Sequence, residues 1–74
     1  MRYLLFISID PPEHLRKFGV GNSYEVREHN ILIGNLQYFL NDDYRYVQHE
    51  DGWDLTASQL REIADKLDEL NGAK

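Results

Sequence analysis

The sequence predicts a small α+β domain, a mostly antiparallel sheet packed against two helices in the order β-α-β-β-α. Three observations carry that prediction. An uncharged apolar run, Tyr3 to Ile9, opens the chain, Asp51-Gly52 follows a segment of strand formers, and a capped amphipathic pattern starts at Thr56. The sheet has three strands, or four if residues 24–29 are extended.

The first strand covers residues 2–9. Tyr3, Leu5, Ile7 and Ile9 share one face, while Leu4, Phe6 and Ser8 share the other. Both faces are largely apolar, the pattern of a strand covered on two sides or lying at a subunit interface. The run falls well short of the roughly 18 apolar residues of a membrane span. It ends in Asp10-Pro11-Pro12 with no small-residue cleavage pattern, so it reads as a strand and not as a leader.

Proline disfavours helical geometry in the residue before it, so the next helix begins at or after Pro12. It holds at most two turns, over residues 12–18, and Gly19 ends it. Gly19, Gly21 and Asn22 form a loop. Their spacing is too short for a dinucleotide fingerprint or a P-loop.

Residues 23–41 admit two readings. In the first, Asn22 caps a long helix with Glu25 three residues on, and Val26, Leu32, Ile33, Leu36, Phe39 and Leu40 form its core stripe. Gly34 and the β-branched Val26, Ile31 and Ile33 oppose it. In the second, a strand at 24–29 precedes a shorter helix from Asn30. Helix over residues 30–41 is the expectation in both.

Tyr44-Arg45-Tyr46-Val47-Gln48-His49 is rich in strand formers. Asp51-Gly52 suits a type I′ turn, in which both central residues take positive φ, and Trp53-Asp54-Leu55 would be the return strand. A two-residue loop puts Tyr44, Tyr46 and Gln48 on the face of Trp53 and Leu55; a bulged three-residue loop puts Val47 and His49 there.

The last helix has its start signals in full. Thr56 is the N-cap, Gln59 completes a capping box, and Leu55 and Leu60 stand at the positions of a hydrophobic staple. Leu60, Ile63, Ala64, Leu67 and Leu70 recur at helical spacing and predict the buried stripe. Glu62 with Lys66 and Arg61 with Asp65 are i,i+4 pairs, and Gly72 is placed to cap the end.

A chain of 74 residues has room for one small domain, residues 1–74. At that size only about 60% of the unfolded surface is buried, and with no cysteine no disulfide or thiolate metal site adds support. The doubly apolar first strand therefore also points to a homodimer. A soluble, cytoplasmic protein is expected, with no membrane association.

Thirteen acidic residues against eight basic ones give a net charge of −5, which opposes direct binding to nucleic acid. His14, His29 and His49 lie outside any zinc spacing, and His49-Glu50-Asp51 offers too few ligands for a metal site. Ser8, Ser23 and Ser58 lack a nucleophile motif, and Asp42-Asp43 reads as a solvated pair. No catalytic residue, cofactor or metal is assigned, and the protein is read as a non-enzyme.

Two surfaces remain for a partner. On the long-helix reading Tyr24, Ile31 and Tyr38 repeat every seven residues away from the core, with Arg27 beside them. Tyrosine and arginine are enriched at binding hot spots. The second surface is the outer face of the last helix, Ser58, Glu62, Asp65 and Glu69, with Asp68 alongside. Asp65 and Glu69 repel at i,i+4, and acids at a helix end oppose its dipole.

The leading expectation is a small acidic protein-binding module, an inhibitor, adaptor or regulatory partner, using Tyr24, Arg27, Ile31, Tyr38, Glu62, Asp65 and Glu69 on a protein with a basic surface. An inhibitor from a phage or other mobile element is one version. The alternative is a homodimeric regulatory protein that holds a small ligand among Tyr44, Tyr46 and Trp53.

Overall fold

The computed structural model describes residues 4–39, 43–50 and 54–72. Its elements are β1 (Leu5–Ile9), α1 (Glu13–Arg16), β2 (Ser23–Glu28), β3 (Ile31–Phe39), β4 (Asp43–Gln48) and α2 (Ala57–Leu70). The strands form one antiparallel sheet in the order β1-β2-β3-β4. The fold is α+β, with four strands and the order β-α-β-β-β-α.

Where the helix is expected over residues 30–41, Ile31–Phe39 form a strand, and residues 40 and 41 lie outside the described residues. Glu28 pairs with Ile31, and between them His29 and Asn30 take φ of 51° and 68°. Two consecutive left-handed residues make the type I′ connection whose twist matches a hairpin. The helix-like spacing has a physical source in a bulge. Val26 pairs with Gly34 while Arg27 pairs with Leu32, so Ile33 is an extra residue. A bulge breaks the two-residue alternation, and Ile33 and Leu36 both enter the core although they stand three apart.

Gly34 belongs to that strand for a steric reason. A Cβ there would lie 2.5 Å from Cε1 of Tyr46, whose ring rests on the bare glycine. The Tyr46 hydroxyl lies 3.2 Å from the Ile33 carbonyl and 3.0 Å from Gln48 Oε1.

The expected hairpin between residues 44–49 and 53–55 is also corrected. β4 pairs with β3, from Gly34↔Gln48 to Phe39↔Asp43, and residues 54–56 are not in a strand. The outer side of β4 at Tyr44 is taken by Asn71, which leaves no edge there for a return strand. The turn at Asp51-Gly52, and Trp53, lie outside the described residues.

Three local readings hold. Pro12 precedes α1, and Gly19 follows it at φ 85°. Thr56 caps α2, with Thr56 Oγ1 accepting from the Gln59 amide at 3.1 Å and Gln59 Oε1 accepting from the Thr56 amide at 3.0 Å. Gly72, just past the helix, takes the left-handed φ of 69° expected of a terminal glycine.

One face of the sheet carries the core. Leu4, Val26, Ile33 and Leu36 meet Ile63, with Phe6, Tyr24, Tyr46, Leu55, Leu67 and Leu70 packed around them. α2 is rotated from the expected stripe: Gln59 is buried, whereas Leu60 is 53% exposed and Ala64 is exposed. The cause is tertiary. Gln59 Nε2 donates to Glu28 Oε2 at 2.6 Å, so the capping residue is also the anchor of α2 on β2.

Candidate functional site

The rotation of α2 determines where its acids point. With Ile63, Leu67 and Leu70 toward the sheet, Glu62 is half-buried and Asp65 and Glu69 are exposed on the flank of the helix that overlooks β1. With Phe6 and Lys66 they line one groove between α2 and the first strand. Ser58 lines a separate depression with Glu28, Thr56 and Gln59.

Among the described residues the groove is lined by the carboxylates of Glu62, Asp65 and Glu69 and the ammonium group of Lys66. Lys66 Nζ sits 3.3 Å from Glu69 Oε2 and within cation–π reach of two rings, 5.9 Å from that of Phe6 and 5.5 Å from that of Tyr24. Lys66 thus forms an i,i+3 pair with Glu69. Glu62 Oε1 accepts from the Leu4 amide at 3.2 Å, which ties α2 to the start of β1. Asp65 has no ion pair among the described residues, with Arg61 or any other cation.

No described helix packs over the Leu5 and Ile7 part of the other face, while its Ile9 end borders a depression shared with Pro12, Leu15 and Val20 around α1. Leu5, Ile7 and Ile9 line up along β1 there at 57%, 44% and 39% exposure. Their cross-strand neighbours on β2 are Arg27, Glu25 and Ser23. The alternation in residues 2–9 makes both faces of β1 apolar, but alternation alone does not single out Leu5, Ile7 and Ile9 as the exposed row. The available signal was quantitative: one long helix covers only one face of a sheet.

The tyrosine line does not assemble. Tyr24 and Tyr38 sit edge-on to Tyr44, with centroids 5.9 and 5.3 Å apart. Ile31 lies beyond the bulge at the far end of the β2–β3 hairpin. Arg27 is on the open face, 2.8 Å from Glu25 Oε1 and 2.9 Å from the Asn30 carbonyl. The expected grouping required a helix, and two strands joined by a tight turn disperse it.

Of the ligand-binding trio, Trp53 lies outside the described residues. Tyr46 covers Gly34, and burial pushes its phenol above the ordinary tyrosine value. Tyr44 is raised by burial and then by the neighbouring Tyr24. Both rings are engaged in packing the sheet. Among the described residues no group of three or more His, Cys, Asp or Glu is placed to hold a metal ion, and no helix is long and apolar enough to cross a membrane. No family model matches the chain, and neither a curated protein nor a solved structure matches it.

Proposed function

We propose that this protein is a small, non-catalytic binding module that captures a protein partner with a basic surface. The observation that carries this reading is the joining of two surfaces along one side of the sheet. The exposed row Leu5, Ile7 and Ile9 lies on one face of β1, and Glu62, Asp65 and Glu69 overlook its other face. Apolar surface supplies affinity on association, and complementary charge steers encounter and fixes orientation. A cytoplasmic location belongs to the same reading.

The test is affinity capture from a lysate of the source organism, with mass spectrometry, comparing wild type with the variant Glu62→Lys, Asp65→Lys, Glu69→Lys. Loss of a captured protein from the reversed variant, at unchanged circular dichroism, supports the reading. Undiminished capture by a folded triple variant eliminates it.

A further inference from the structure

The way the two surfaces flank β1 specifies how such a partner would bind. The two edges of the sheet are unlike. On β4, the Tyr44 amide donates to Asn71 Oδ1 at 2.7 Å and the Tyr44 carbonyl accepts from Asn71 Nδ2 at 3.2 Å, so Tyr44 faces outward. The adjacent residues Asp43 and Arg45 carry charge and pair with each other at 3.3 Å. Charge and a covering group are the ordinary protections of an edge strand.

Among the described residues β1 has neither along most of its length. Leu5 through Ile9 carry no charged side chain. The Leu4 amide reaches Glu62 on α2, which orients it away from β2. By the two-residue period of a strand, the backbone groups of Phe6 and Ser8 point outward in the same way. Among the described residues no hydrogen bond outside the sheet reaches them.

We infer that β1 accepts an extended segment of a partner by strand addition, and that this segment alternates apolar and basic residues. The inference rests on the binding-module reading above. Strand addition draws affinity from main-chain hydrogen bonds and specificity from alternate side chains. Residues opposite Leu5, Ile7 and Ile9 would project over the open face and meet that apolar row. Residues opposite Phe6 and Ser8 would project toward α2, into the groove of Glu62, Asp65 and Glu69. There a lysine or arginine meets Asp65, which has no ion pair among the described residues, and the ring of Phe6.

Charge selects this occupant over a second copy of the chain. A two-fold pairing of β1 with itself would match the apolar row well. It would also bring two identical sets of these three carboxylates toward each other across the axis, on a chain of net charge −5. A basic segment relieves that charge where a copy doubles it.

The experiment titrates the isotope-labelled protein with a short synthetic peptide of alternating valine and lysine. Three controls accompany it: the same peptide with glutamate for lysine, one N-methylated at alternate amides, and the triple lysine variant of the protein. The expected result is a saturable shift of the Phe6 and Ser8 amide resonances, with binding at least about tenfold weaker in each control. Equal binding of the N-methylated peptide overturns strand addition while leaving the basic-partner reading standing. Equal binding of the glutamate peptide overturns both. Failure of the lysine peptide to bind at millimolar concentration overturns the inference. So does a dimer mass by light scattering with Phe6 and Ser8 already protected, since the edge would then hold a second copy.

Discussion

Asn71 holds Tyr44 by both of its backbone groups, accepting from the amide at 2.7 Å and donating to the carbonyl at 3.2 Å. A side-chain amide carries the same donor and acceptor as a peptide unit, so Asn71 pairs with β4 as a single residue of a neighbouring strand would. The contact ties the end of α2 to one edge of the sheet. Glu62, two turns earlier, ties the same helix to the start of the opposite edge at Leu4.

Replacing Asn71 by alanine removes both bonds from an exposed position. The expected loss of stability is about 1 kcal/mol, read from urea unfolding. Exchange of the Tyr44 amide with solvent should accelerate in the same variant while that of the Phe6 amide stays unchanged.

The contact between Gly34 and Tyr46 predicts a non-additive pair. Gly34→Ala forces a Cβ against the Tyr46 ring and should cost about 1–3 kcal/mol, the usual range for overpacking. In a Tyr46→Ala background the same change should cost less by about 1 kcal/mol or more. A double-mutant cycle in urea measures the difference, and equal costs in both backgrounds would refute the steric account.

Helix rotation makes a third prediction. Ile63→Ala empties a position 4% exposed and should cost about 2–4 kcal/mol. Leu60→Ala, at 53% exposure, should cost less than about 1 kcal/mol. Comparable losses would place Leu60 in the core, as the sequence stripe implied.

That stripe shows where sequence reasoning stopped. The cap of α2 was legible because Thr56 and Gln59 bond to each other within one turn, so no distant residue is needed. The facing of the helix was not, because it depends on Glu28 of β2 reaching Gln59. Asp65 and Glu69 are exposed as the helical spacing implies, while the half-burial of Glu62 beside Leu4 depends on that same distant contact geometry. β2 and β3 were obscured for another reason. Ile33 and Leu36 show the three-residue spacing of a helix only because a bulge inserts Ile33, and the His29-Asn30 turn reaches positive φ without glycine. Gly34 counted against the helix correctly, but its partner, Tyr46, is twelve residues away.

Tyr44 and Tyr46 predict the alkaline behaviour. Both phenols are raised above the ordinary value of 10.0, Tyr46 by burial and Tyr44 by burial and then by Tyr24. A raised folded value means that the folded state holds the proton more tightly than the unfolded chain. Their contribution to stability is fully present below pH ~10 and is lost as the pH rises through the folded values. Urea midpoints should fall over that window in parallel with tyrosinate absorbance. Tyr46→Phe should flatten part of the decline.

The central claim is that this small sheet is closed along β4 at Tyr44 and open along β1. Residue-resolved amide hydrogen exchange on the free protein tests it most directly. The account predicts slow exchange at Ile7, which faces β2, fast exchange at Phe6 and Ser8, and protection at Tyr44. Phe6 and Ser8 amides as slow as that of Ile7, or an unprotected Tyr44, would contradict it.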